Sequence, residues 1–289
     1  MGAMLEWGTY NAGSSVRRAA LVGMRLSEIP PGVFMRRDPS TFLAPYERYG
    51  GYFSVITAHG PYYAITGQGK DDYDVSVKAH VRAAQIAERY GAKVYNLHLG
   101  GAGEDRERSI ELASDAVKRM LSATQSIVIT LETTYWPRNL GTPEDIRAII
   151  ESVDSERVGI SFQLENDFVR EFRVYESGNF AMADAACSPD FWYRLLSSNE
   201  DLFAGHVSLR FSQVIGMYIR RRLFVKKRVP LGRGYPSLNV MAEGVAQYIV
   251  QRAHEDLPVH LIYTGPSETK FHDTLELYHS VAREVGRHL

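Results

Sequence analysis

The sequence predicts a TIM-type (β/α)8 barrel, and three observations carry that prediction: eight short apolar runs, longer amphipathic stretches between them, and polar residues closing several of the runs. The runs lie near Met4–Thr9, Ala20–Leu26, Tyr52–Thr57, Lys93–Leu97, Ile127–Leu131, Val158–Gln163, Ala204–Phe211 and Val259–Tyr263, and read as strands. Strands alternating with helices give a parallel sheet, and eight is the number that closes such a sheet into a barrel.

The intervening helices are punctuated in the sequence. Asp38-Pro39 and Thr142-Pro143 each set a capping side chain ahead of a proline suited to a first helical turn, and Asp145 adds a carboxylate three residues after Thr142. Val75–Tyr90 carries Val77, Val81, Ala84 and Ala87 at helical spacing and stops at Gly91, so it is expected to lie along the outside of the sheet. Asp105–Ala123, Asn239–Ala253 and Phe271–Arg287 follow the same pattern. Phe211–Arg233 is the least regular stretch, a cationic run where a βα loop and a short helix are expected, and long insertions at that end of a barrel usually carry function.

With 289 residues, 45% of them hydrophobic and 23% charged, the chain can bury a core of barrel size; no internal repeat, low-complexity tract or linker interrupts it, so a single domain over 1–289 is expected. The formal net charge of -1 excludes a global basic field, and any nucleic-acid contact must come from a local patch. Cys187 is the sole cysteine, which rules out an intramolecular disulfide and a thiolate zinc cluster. No apolar stretch has the length of a membrane span and MGAMLEWGTY lacks the parts of a signal peptide; a cytoplasmic protein is expected.

His59, His98 and Glu132 close the third, fourth and fifth runs. Residues just past the carboxyl ends of barrel strands converge on one bowl, and two imidazoles with a carboxylate suit Zn, Mn or Fe(II) with positions left for water or substrate oxygen. Each residue alone reads equally well as a hydrogen-bonded strand end; the shared placement points to metal. GGAGED at Gly100–Asp105 lacks the lysine of a P-loop and reads as a plain βα turn. His206 shares the parity of Ser208 and Arg210 near the seventh run and stands as a reserve ligand.

The segments SVITAHGPYY, YNLHLGG and ITLETT resemble the strand-end motifs of the endonuclease IV family, with GTPEDI at Gly141–Ile146 and LGRG at Leu231–Gly234 as further matches. The resemblance implies a TIM barrel whose relatives are trinuclear zinc phosphodiesterases cutting DNA on the 5′ side of abasic sites. Carried over position by position, His59, His98 and Glu132 fall on the ligands of one zinc, while other ligand positions hold Gln163, Asn166, Ser208 and Thr264 (or, with a one-residue gap, Tyr263), and a further histidine position falls close to Arg228. Amide and hydroxyl oxygens are weak zinc ligands, so at most one divalent metal is expected, zinc first and Mn or Fe next.

Positive side chains are expected to stand in for the missing ions. Arg210 and Arg228 are candidates for holding a phosphate, and Arg220, Arg221, Arg222, Lys226, Lys227, Arg228 and Arg233 form the candidate phosphate-backbone footprint, with Tyr218 and Phe224 interleaved for stacking. Glu132 and Glu165 are the candidate catalytic carboxylates, Glu165 as a base. The leading expectation is therefore a monomeric, metal-dependent phosphodiesterase acting on DNA. A sugar isomerase or epimerase is the first alternative, and a catalytically degenerate barrel that binds DNA or a protein partner is the second.

Overall fold

The computed structural model describes residues 5–67, 72–219 and 223–289. Its strands are β1 (Leu5–Tyr10), β2 (Leu26–Ile29), β3 (Val55–His59), β4 (Val94–Leu97), β5 (Gly100–Gly101), β6 (Val128–Glu132), β7 (Asn139–Leu140), β8 (Val158–Gln163), β9 (Val207–Phe211), β10 (Gln213–Ile219), β11 (Leu223–Val229) and β12 (Val259–Tyr263). The helices are α1 (Ser14–Leu21), α2 (Pro31–Phe34), α3 (Ser40–Tyr49), α4 (Tyr73–Arg89), α5 (Arg106–Ala123), α6 (Pro143–Val153), α7 (Leu164–Glu171), α8 (Val174–Ser177), α9 (Phe180–Ala186), α10 (Pro189–Ser197), α11 (Leu238–Gln251) and α12 (Lys270–His288). Eight strands close into a parallel barrel in the order β1-β12-β9-β8-β6-β4-β3-β2, which is the predicted fold.

Two expectations about elements are corrected. The second strand is not Ala20–Leu26: residues 14–21 are helix α1, and the strand begins at Leu26. Its sequence LSEI buries Ser27 and Glu28, so it lacks the apolar run that identifies the other strands, while the apolar Ala19-Ala20-Leu21-Val22 belongs to the end of the helix. The insertion after the seventh barrel strand is not a loop with a short helix but the antiparallel hairpin β10–β11, registered from Gln213↔Val229 to Ile219↔Leu223. At Asp38-Pro39 the expected cap is also corrected, since Pro39 itself is the cap position of α3 with no side-chain capping bond, and Asp38 accepts from Ser40 N at 2.9 Å; at two other helix starts the punctuation holds. Thr142 and Asp145 form a reciprocal capping box on α6, and Asp105 caps α5 by accepting from Arg108 N at 2.9 Å.

The chain groups into two compact units: Tyr10–Ser161 with Leu202–Ala204, and the remainder, chiefly Phe162–Asp201 and Gly205–Leu289. Within the first, parallel register sets His59 beside Asn96 and Asn96 beside Thr130, while Glu132 lies two residues beyond Thr130 on the same face. That face is polar and buried, and side-chain hydrogen bonds run along it. Thr57 Oγ1 donates to Glu28 Oε1 (3.3 Å), Thr130 Oγ1 to Asn96 Oδ1 (3.1 Å), and Asn96 Nδ2 to Glu132 Oε2 (2.6 Å). The opposite face, with Ala58, Tyr95, Leu97, Ile129 and Leu131, is apolar and buried, as are the inner faces of α4 and α5 with their small residues Ala83, Ala84, Ala87, Ala113 and Ala116.

In the second unit β12 pairs with β1 and β9. The hairpin is joined to the segment before α11 by paired Val214–Tyr235 backbone bonds of 2.7 and 2.9 Å. Buried Asp273 accepts from Tyr263 Oη (2.5 Å), Thr269 Oγ1 (2.6 Å) and Leu231 N (3.3 Å), fixing the turn that follows the hairpin. Among the described residues no helix is long and apolar enough to cross a membrane.

Of the buried histidines, His80 and His260 resist protonation. Burial pushes His80 down to about 4 and holds His260, stacked 4.4 Å from His206, well below the ordinary histidine range. The unfolded chain protonates these rings near 6.5 and the folded chain only further down, so between those values the unfolded state binds more protons. Stability is therefore expected to fall as pH drops from about 6.5 towards about 4, with His80 alone worth about 3 kcal/mol over that span. Urea melts across the range check this; a flat profile, or one unchanged in His80→Gln, contradicts it.

Candidate metal centre

His59 ends β3, His98 follows β4 by one residue, and Glu132 ends β6. The structure brings the three together: one ligating atom from each lies within 4.8 Å of the others. His59 Nε2 is 3.3 Å from Glu132 Oε2, and His98 Nε2 is 3.4 Å from Glu132 Oε1. The two imidazole rings are 5.0 Å apart. Both nitrogens thus face opposite oxygens of one carboxylate.

The donor set fits a cation. His59 Nδ1 lies 2.8 Å from the carbonyl oxygen of Gly60, which only accepts, so Nδ1 carries a proton and, in the neutral ring, the Nε2 lone pair is the atom turned to Glu132. A lone pair opposite a carboxylate oxygen is repulsive unless a bound cation or a second ring proton lies between them. Ligands about 2.1 Å from a tetrahedral ion stand about 3.4 Å apart, close to the separations observed. Asn96 holds Glu132 Oε2 in place, as a supporting residue does for a metal-ligating carboxylate.

Asn96 was not singled out by sequence reasoning, although its parity was readable, since it precedes His98 by two residues at the end of an apolar run. Tyr62 is the other addition. The residue is 59% exposed and its ring lies 5.3 Å from that of His98 and 5.5 Å from that of His59, making an aromatic wall beside the two histidines.

The replaced ligand positions have a different organisation, within the second unit, and Glu165 is at its centre. Its carboxylate is fully buried. Ser212 Oγ donates to Oε1 (2.8 Å) and Ser212 N to Oε2 (3.3 Å); Gln163 Nε2 also donates to Oε2 and reaches Thr264 Oγ1 at 3.0 Å. Lys226 Nζ and Arg228 Nε each stand 3.4 Å from Oε1, and Lys226 donates in addition to Asn166 Oδ1. Burial acts to raise the Glu165 pKa, but Lys226, Arg228 and the hydrogen bonds outweigh it, and the net shift is downward.

Several expected site residues are placed differently from the sequence reading. Arg210 is fully buried within β9, so it presents no guanidinium to an external phosphate. His206 precedes β9 at its amino end and stacks on His260, and Ser208 is the second residue of that strand beside His260; neither stands at the carboxyl end. Lys226 and Arg228 are directed onto Glu165. Lys227 and Arg233 are exposed. Arg220, Arg221 and Arg222 lie outside the described residues. Gly100–Gly101 forms a small ribbon with Asn139–Leu140, consistent with a βα turn at GGAGED.

The chain matches the model of the xylose isomerase-like TIM barrel family over residues 19–236. An uncharacterized protein of Methanocaldococcus jannaschii is 35% identical, with 97% of this chain and 90% of that relative covered. Among solved structures, a D-tagatose 3-epimerase-like protein superposes with a TM-score of 0.68 at 14% identity, covering 98% of this chain and 100% of that one. Endonuclease IV from Thermus thermophilus superposes with a TM-score of 0.65 at 16% identity, covering 97% and 99%. At such identities the two structures share the fold. The chain belongs to the xylose isomerase-like TIM barrel family.

Proposed function

We propose that the chain is a single-metal enzyme acting on phosphodiesters of DNA, in the manner of the endonuclease IV proteins whose strand-end motifs it resembles. The observation that carries this reading is the pair of imidazole nitrogens trained on the two oxygens of buried Glu132. His59, His98 and Glu132 hold the ion, zinc first. A divalent ion there supplies Lewis acidity to a phosphoryl oxygen. The chain's own contribution is to fix the ligands: Gly60 O sets the His59 tautomer, Asn96 orients Glu132, and Tyr62 offers a face for stacking. The exposure of Lys227 and Arg233 supports a role for them in contacting a phosphate backbone.

The surroundings of Glu165 support this reading over a sugar isomerase. Moving a proton on carbon calls for a carboxylate base whose pKa lies near the working pH. Glu165 is shifted the other way by Lys226 and Arg228, which makes it a weak base and an anchor for cations. Metal analysis of the purified protein, followed by incubation with a duplex carrying an abasic site, tests the proposal. One metal per chain and chelator-sensitive strand cleavage are expected. Turnover of a keto-sugar instead selects the isomerase reading, and DNA binding with neither metal nor cleavage selects a non-catalytic barrel.

A further inference from the structure

His80 stands on α4, outside the trio, and is fully buried among the small residues of that helix's inner face. Its two ring nitrogens are both engaged. Nε2 lies 2.9 Å from the carbonyl oxygen of Tyr63, and Nδ1 lies 2.9 Å from the hydroxyl of Tyr95 on β4. A carbonyl only accepts, so Nε2 carries the proton, and the Tyr95 hydroxyl donates to Nδ1. The ring is thereby fixed in one tautomer and one orientation, wedged between helix, strand and the loop after β3.

That loop holds what sets His59. Gly60 N donates to Asn96 O at 2.7 Å, Gly60 O receives the His59 Nδ1 proton, and Tyr63 O is held by His80. The loop passes directly over the His80–Tyr95 pair: a Cβ built on Gly60 would lie 2.6 Å from the Tyr95 hydroxyl oxygen and 3.0 Å from His80 Nδ1, both inside normal contact. Only glycine lets the backbone come so close. The loop also carries Tyr62, whose ring adjoins both histidines of the trio.

We infer that His80 and Tyr95 are positioning residues for the metal centre, holding the Gly60–Tyr63 loop so that the Gly60 carbonyl keeps the His59 Nε2 lone pair directed at the ion. The inference rests on the metal reading of His59, His98 and Glu132. It makes the centre dependent on a hydrogen-bonded chain running from Tyr95 through His80 and the loop backbone to a ligand that neither side chain touches. Partners that only orient a ligand change metal affinity by about 10–100-fold.

The test is titration of the purified chain with Zn²⁺ against a competing chelator, and with Co²⁺ by its visible absorption. Tyr95→Phe removes one hydroxyl from an otherwise unaltered ring, and His80→Leu removes both ring contacts. Each is expected to weaken binding by about 10–100-fold and alter the Co²⁺ spectrum. His80→Gln, whose amide can donate to Tyr63 O and accept from Tyr95, is expected to recover most of the affinity. If His80→Leu fails to fold, as judged by circular dichroism, Tyr95→Phe decides alone. A wild-type chain that binds metal and a folded Tyr95→Phe chain that binds it equally well overturn the inference while leaving the metal reading standing. A wild-type chain that binds none overturns both.

Discussion

Glu132→Gln is expected to abolish metal binding while leaving the fold intact. The substitution preserves the shape of a side chain that is 1% exposed and keeps an oxygen able to accept from Asn96 Nδ2. It removes the one negative charge lying between His59 Nε2 and His98 Nε2. Because Glu132 would be a ligand and not merely a support for one, the loss should exceed about 100-fold, the upper end for supporting residues. A thermal melt gives a direct reading. Ion at about 100 times its dissociation constant adds about 2.7 kcal/mol to a chain that binds it when folded. The wild type should show the corresponding rise in Tm and the variant none. Equal metal-induced stabilisation of both would remove Glu132 from the ligand set.

Glu165→Gln should have the largest effect on stability. The carboxylate is fully buried and lies opposite Lys226, which is 10% exposed, and Arg228, which is about one-third exposed. Removing one member of a buried ion pair leaves the other charge without compensation and typically costs about 3–5 kcal/mol. Arg228 can turn partly towards water, so the lower end, about 3 kcal/mol, is expected at neutral pH. Replacing Glu165 and Lys226 together by Leu and Met should recover much of that loss, because two desolvated charges disappear at once. Glu165 has a folded pKa below its ordinary value of 4.5, so its contribution is present above that value and is lost as acid protonates the folded carboxylate. Denaturant melts from about pH 7 to about pH 3 should show this acid limb in the wild type and a shallower one in Glu165→Gln. Wild-type stability in the single variant would show that Lys226 and Arg228 do not depend on Glu165.

The barrel was legible because most of its strands keep one face apolar, which leaves a short run with an apolar residue at every second position. Val158–Gln163 and Val259–Tyr263 match the sequence reading residue for residue. The strand Leu26–Ile29 was hidden by its own chemistry, since Ser27 and Glu28 are buried polar residues satisfied by partners far along the chain. The metal trio was legible because each member directly follows or ends such a run, where strand parity fixes direction. Its supports were less so. His80 lies mid-helix at a position where a sequence shows only one polar residue on an apolar face, and its partners are 15 and 17 residues away. The charge of Lys226 and Arg228 was visible, but their destination was not: the sequence does not tell whether a basic strand faces a polyanion or a buried glutamate.

The ribbon between Gly100–Gly101 and Asn139–Leu140 joins the segments that follow His98 and Glu132, and Arg106 reinforces it by bonding Asp145 and Asn139 O. Those segments are therefore tied to each other beside the trio. His59 and Glu132 are sealed, whereas the side chain of His98 keeps about a third of its surface in solvent. If the trio holds an ion as proposed, His98 is the ligand through which solvent would reach it. The lifetime of such an ion would then depend on how often a single imidazole swings away, so exchange rate and affinity would be separate properties of the proposed centre.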